Sequence, residues 1–206
     1  MTRLSKRLAA QALLALSLLL TLTTYANAFD LTQLDRQLRE PAVIRGNFTQ
    51  EKHLRALPQP LVSTGTFVLA RDLGLLWLLR EPLQQDYRIS PSGVARRDAS
   101  GWHPALQQGA AARQNALFLA VLRGDTEALQ HDFELALSGT AERWTLTLTP
   151  RSKLLGQIFT RIIIQGGLTA ERIELLETQG DSTLLLLTDS QIDEELSPTE
   201  RHDFAD

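Results

Sequence analysis

The sequence contains no cysteine. That absence excludes a thiolate nucleophile, a thiolate-ligated metal and a disulfide framework, and it leaves no cysteine to acylate. The fold must therefore rest on a core large enough to hold it. Lysine is scarce as well: beyond residue 28 only Lys52 and Lys153 occur, so arginine carries nearly all the positive charge. Arginine suits planar carboxylate or phosphate recognition, although high genomic GC content gives the same bias. Signatures of catalysis are missing too. There is no G-x-S-x-G elbow, no H-E-x-x-H and no phosphate-binding P-loop.

His53, His103, His131 and His202 are scattered, without the i, i+4 spacing of a helical metal pair. They read as surface or satisfied histidines. Asp193-Glu194-Glu195 reads as a solvated run, because a calcium loop needs alternating ligands and a glycine turn. Asn47-Phe48-Thr49 matches a glycosylation sequon but falls in a predicted strand. No catalytic residue, metal site or cofactor is expected.

Only one long apolar run exists, Leu8 to Leu22, broken by Gln11, Ser17 and Thr21. It follows the basic Arg3, Lys6 and Arg7 and precedes Ala26-Asn27-Ala28, a small-x-small cleavage pattern. The run is too short for a spanning anchor, which needs about 20 apolar residues. Residues 1–28 are thus expected to be a signal peptide, and 29–206 one domain, free in the periplasm if the host is a double-membraned bacterium. Removing three positive charges and no negative ones moves the formal charge from −3 to −6. That balance argues against a nucleic-acid partner.

The rest of the chain is dominated by short strands. Phe29 to Arg39 predicts an amphipathic helix capped by Asp30 and stopped by Pro41, with Leu31, Leu34 and Leu38 on one face. Ala42 to His53 is strand-like, with Ile44, Gly46, Phe48 and Gln50 on one side. In the next strand Phe67 and Leu69 share a face that Arg71 continues. Leu75 to Leu79 is apolar on both faces, so it is either covered on both sides or covered on one and lining a cavity on the other. Leu83 to Ile89 and Val94 to Asp98 extend the meander.

The middle differs. Arg113 to Arg123 is helix-like, and Ala116 to Leu122 is apolar all round. Such a helix is a buried core element or covers a hydrophobic opening. Gly124 ends it, and Asp125-Thr126-Glu127 starts a second short helix. Strands resume with Phe133 to Leu137, Trp144 to Leu148, Phe159 to Gln165, Arg172 to Thr178 and Thr183 to Thr188. Beyond Ser190 the chain is acidic and polar, and reads as loop or ragged end. The pattern predicts a mainly β, α+β fold: a single curved antiparallel sheet or open barrel with one or two central helices.

Against this background, Gly46-Asn47-Phe48-Thr49-Gln50, Ser63-Thr64-Gly65-Thr66-Phe67-Val68-Leu69-Ala70-Arg71, Leu76-Trp77 and Glu81-Pro82 resemble the periplasmic outer-membrane lipoprotein carriers, the LolA-like family. Arg71 and Trp77 keep the family's spacing. The resemblance implies an unclosed antiparallel half-barrel with a helical lid over a hydrophobic cavity. It also implies an acylated cargo, lipoprotein or lipid, passed from an inner-membrane exporter to an outer-membrane acceptor by a monomeric carrier, not an enzyme.

On this reading Phe67, Leu69, Leu75, Trp77, Leu117, Phe118 and Val121 are expected to line the cavity. Arg71 is implied to latch the lid through lid backbone carbonyls; a surface ion pair with Asp72 or Glu81 is the alternative. Two departures, Asp72 in place of a proline and Val94-Ala95-Arg96-Arg97 in place of an aromatic-rich segment, put the cargo in question. A non-protein lipid or lipid-linked pigment is the alternative cargo. An enzyme acting on an acyl substrate and an envelope adaptor are the rival classes.

Overall fold

The computed structural model describes residues 29–105 and 110–205, and the expected signal segment 1–28 lies outside them. The first meander comprises β1 (Val43–His53), β2 (Leu61–Ala70), β3 (Gly74–Glu81), β4 (Gln85–Ser90), β5 (Gly93–Asp98) and β6 (Gly101–Pro104). The second comprises β7 (Phe133–Thr140), β8 (Arg143–Pro150), β9 (Phe159–Gly166), β10 (Ala170–Glu177) and β11 (Ser182–Asp193). Helix α1 (Leu31–Arg39) precedes β1, while α2 (Ala110–Arg123) and α3 (Thr126–Asp132) join the two meanders. A short α4 (Lys153–Gly156) follows β8, and α5 (Pro198–Ala205) follows β11.

The strands form one antiparallel sheet in the order β6-β5-β4-β3-β2-β1-β11-β10-β9-β8-β7. Pairing of β1 with β11 zips the meanders together at the centre. Edges β6 and β7 do not pair with each other, so the sheet is an open half-barrel. Because α2 and α3 connect those same two edges, they cross the open side. Packing of Leu119, Val121, Leu122 and Leu129 on the inner face makes them a helical cover there.

Alternation then assigns the faces. Phe48, Phe67, Leu69, Leu75, Trp77 and Ile89 form the inner face, packed with Leu34, Leu38, Leu119, Val121, Leu122 and Leu129 of the helices. The outer face carries Val43, Val68 and Leu76, covered by Leu196 and Phe204. β3 is therefore covered on both sides. The close pairing of β2 with its neighbours depends on Gly65, where a β-carbon would stand 2.1 Å from the Leu78 carbonyl oxygen and 2.8 Å from the Phe48 ring.

Helix α1 follows the sequence reading. Asp30 accepts from the Gln33 amide at 2.8 Å and the Gln33 side chain accepts from the Asp30 amide at 3.1 Å, a reciprocal capping box.

The segment after Ser190 does not follow it. β11 continues to Asp193, and α5 packs on the outer face. Its attachment is chiefly electrostatic. Arg45 donates to both carboxylate oxygens of Glu200 at 2.6 Å, to Asp193 and to the Glu195 carbonyl at 2.9 Å. Arg97 donates to the buried Asp203 carboxylate at 2.7 Å and to Asp86 at 2.8 Å. The Trp102 ring lies against two guanidinium groups, 5.2 Å from Arg88 and 4.9 Å from Arg97. The polar Arg96-Arg97 stretch of β5 thus supplies a residue that holds α5. Composition concealed this helix because its acids find their arginines far away in sequence. Strand β6 and helix α4 also escaped the sequence reading, being too short to show a period.

A lidded apolar cavity as candidate functional site

Trp77 stands where the sheet and the helical cover meet. Phe48 stacks on it with ring centroids 3.6 Å apart, Phe118 of α2 meets it edge-on at 5.3 Å, and Phe67 lies 6.4 Å away. Stacked and edge-on contacts of this kind add to area burial. Beside this aromatic column is a cavity of about 360 Å³. One wall is formed by Trp77, Leu79, Tyr87 and Val94, the roof by Leu117, Phe118 and Val121, and the facing wall by Ile162, Ile173, Leu175 and Leu185. Gln50, Lys52 and Thr183 give it a polar border. Its size falls within the roughly 300–1,000 Å³ of ligand sites, and its lining is mostly apolar with a few polar groups, as in such sites.

Of the residues expected to line a cavity, Trp77, Leu117, Phe118 and Val121 do so. Phe67, Leu69 and Leu75 do not line this one. Phe67 is 3 % exposed, its ring filling the space that Gly46 leaves open. Leu75 is fully buried in the inner layer, and Leu69 borders a separate cleft of about 200 Å³. Alternation identifies inward residues but cannot say which of them the helices cover. The facing wall was missed for the same reason: Ile162, Ile173 and Leu185 read as ordinary strand core, and only the curvature turns them toward Trp77.

Arg71 lies in the turn after β2, exposed, rather than on the inner strand face next to Phe67 and Leu69. Its guanidinium donates to the Glu40 carbonyl and, at 3.3 Å, to the Pro41 carbonyl. Glu40 is the C-cap of α1, so Arg71 satisfies carbonyls at a helix C-terminus, where cations are favoured. These acceptors belong to α1, not to α2, and are backbone oxygens rather than the Asp72 or Glu81 carboxylates.

Helix α1 is in turn tied to the junction between α2 and α3. Arg39 donates to Asp125 at 2.9 Å, and the Thr126 hydroxyl donates to Asp35 at 3.0 Å. At the junction, Gly124 has φ +65, and a β-carbon there would come within 2.4 Å of the Leu38 side chain. Both demands require glycine. A continuous set of contacts therefore runs from Arg71 through α1 to the junction of α2 and α3. Elsewhere, His53, His103, His131 and His202 are exposed, and among the described residues no three metal-ligating side chains come together.

Residues 23–195 match the family described as outer membrane lipoprotein carrier protein LolA-like. No curated protein matches the chain. Among solved structures, a MucA/MucB complex from Pseudomonas aeruginosa is similar at 17 % identity and TM-score 0.49, over 82 % of this chain; the match spans only 58 % of that chain. A LolA superfamily protein from Nitrosomonas europaea is similar at 10 % identity and TM-score 0.48, covering 83 % of this chain and 94 % of its own. An outer membrane lipoprotein-sorting protein domain from Vibrio parahaemolyticus matches at 11 % identity and TM-score 0.39, covering 84 % and 95 % respectively. By the extent of the family match, this chain belongs to the outer membrane lipoprotein carrier LolA-like family.

Proposed function

We propose that the chain is a periplasmic carrier that holds the acyl chains of a lipoprotein or other lipidated cargo and moves them from an inner-membrane exporter to an outer-membrane acceptor. One observation carries the reading: the apolar cavity beside Trp77 is roofed by an apolar helix whose Phe118 rests on that same indole. On this reading residues 1–28 are a signal peptide removed after Ala28, and the remaining chain works as a monomer and not as an enzyme. An acyl chain of ~16 carbons gains on the order of 12 kcal/mol on leaving water, at about 0.8 per methylene. Capture is therefore easy and release is the problem. A roof that occupies the same lining when empty lowers net affinity by the cost of opening, which suits a shuttle.

Arg71 is assigned the latch on this reading, acting through α1 on the hinge at Gly124. The test is native mass spectrometry of protein recovered from osmotic-shock fluid, paired with incubation of the pure protein with acyl esters. A bound acylated species and no ester turnover are expected, and the added mass separates a lipoprotein from a lipid-linked pigment. Ester hydrolysis, or recovery of the protein only as membrane-embedded full-length chain, would contradict the proposal.

A further inference from the structure

Arg123 ends α2 and lines two clefts that flank the helix end. One, about 200 Å³, is bordered by Leu38, Ile44, Leu69, Arg71 and Asp72; the other, about 500 Å³, lies against Ser90, Ser92 and Ala128. Two of its guanidinium nitrogens, Nε and Nη2, are buried and find no acceptor among the described residues. Burial pushes the group's pKa down, while Asp72 and Asp125 pull it back up. A guanidinium keeps its charge in any case.

Neither carboxylate completes it. Asp125 accepts from Arg39 at 2.9 Å and from the Ala128 amide at 3.1 Å, and Asp72 acts on Arg123 through space only. Buried donors on a cation left without acceptors are costly; they are shielded as the side chain stands, but Arg123 lines both clefts, and a turn of its guanidinium would offer them to an acceptor from outside the chain. The larger cleft adjoins the main cavity, because Ile89 and Val94 border both. Arg123 and Phe118 are about 8 Å apart along the α2 axis at 1.5 Å per residue. A group held at one is thus within reach of a chain packed under the other.

We infer that Arg123 receives the oxyanion of an amphiphile, a carboxylate or phosphate at the end of an acyl chain whose apolar part lies in the main cavity. This rests on the reading of that cavity as an acyl site. Lys52, on the cavity border, is a competing cation, but an ammonium on a flexible stem there can stay hydrated. Arg39 and Arg71, in the smaller cleft, already have acceptors, in Asp35 and Asp125 and in the Glu40 and Pro41 carbonyls respectively.

The experiment is displacement of N-phenyl-1-naphthylamine, a neutral fluorescent probe, by hexadecanoic acid, hexadecyl phosphate and hexadecanol, with inorganic phosphate as a separate arm. It is run on the wild type, Arg123→Met, Arg123→Lys, Lys52→Met and Asp72→Asn, with the acid well above its titration. Acid and phosphate ester should bind the wild type roughly tenfold to a hundredfold tighter than the alcohol, as a charge-assisted pair requires. The preference should vanish in Arg123→Met, survive in part in Arg123→Lys, be unchanged in Lys52→Met and hold or rise in Asp72→Asn, which removes a negative charge acting on Arg123. Arg123→Met should melt no lower than the wild type, since it removes unpaired buried donors.

Anion preference that survives Arg123→Met, or is lost in Lys52→Met, overturns the inference and leaves the acyl cavity standing. Equal loss for all three ligands with a lower melting temperature makes Arg123 structural and overturns it too. Inorganic phosphate competing as well as the phosphate ester would make this a free-anion site and sever it from the acyl chain. If neither probe nor alcohol binds the wild type, the acyl cavity itself falls and this inference with it.

Discussion

Phe118 and Leu148 are both large apolar residues turned inward, yet they should respond to mutation in opposite ways. Phe118 is half-buried, borders the cavity and touches Trp77 edge-on; Leu148 is 0 % exposed in the core of β8. Phe118→Glu places a charge where cavity space can admit water, so it should cut affinity for a fluorescent fatty-acid probe by roughly tenfold or more while lowering the melting temperature by only a few degrees. Leu148→Ala should cost about 2–5 kcal/mol of stability and leave probe affinity nearly unchanged. Thermal melts and probe titrations on the two variants check this, and the reverse pattern would make α2 an ordinary core helix. At this scale the sequence was partly legible. The six-residue spacing of Arg71 and Trp77, through the family resemblance, and the apolar run around Phe118 pointed to the wall and roof. Phe67 and Leu75 lie in the buried inner layer beside the cavity rather than on its wall, a distinction period two cannot make because it gives the face and not its neighbours.

Arginines fasten two elements to their neighbours, and each makes a prediction of its own. Arg71→Leu removes the donors on the α1 C-terminal carbonyls. The fold should persist, because α1 keeps its capping box and its Gln37 side chain still donates to the Ala141 and Gly167 carbonyls. Probe uptake should hold or tighten as the opening cost drops, while transfer of cargo to acceptor membranes fails. A transfer rate equal to the wild type would make Arg71 an ordinary helix cap.

Helix α5 predicts an acid response. The Glu200 carboxyl is held down to about 2 from an ordinary 4.5, first by its hydrogen bonds from Arg45. A depressed carboxyl contributes stability above its unfolded value and loses it as pH falls, here across the window from about 4.5 down to about 2. Asp86 shifts in the same direction: burial pushes it up, but Arg80 and Arg97 outweigh that. Since solvent reaches Arg45 and Glu200 from one side, the pair is worth on the order of 1–2 kcal/mol. Glu200→Gln should therefore melt lower at neutral pH and lose less than the wild type on acidification, as read by melting temperature against pH. Equal acid loss in both would assign the response to other carboxylates. No local pattern announces α5, because Arg45, Arg88 and Arg97 read as surface charge until the sheet brings them under it.

At the scale of the molecule, the strand rhythm and the central helical insertion were legible, and together they implied a curved sheet with a cover. What the sequence could not supply was the pairing of β1 with β11, a contact between the first and last strands that leaves β6 and β7 as free edges. That pairing explains why α2 and α3 cross the open side, and hence why the cavity has a roof. It also makes β3 a wall shared by the cavity and the α5 seat.

The proposed function requires an acyl chain to lie under α2 against Trp77. Titrating the protein with a fatty acid brominated along its chain, and following tryptophan fluorescence, tests it directly. Bromine quenches at contact, so the wild type should lose the Trp77 share of its emission at about one chain per protein. Trp77→Phe should bind the same ligand with little quenching, since Trp144 is buried in the β8 core and Trp102 lies on the outer face. Equal quenching in the two proteins, or none in the wild type at saturating ligand, would mean that the chain does not enter this cavity.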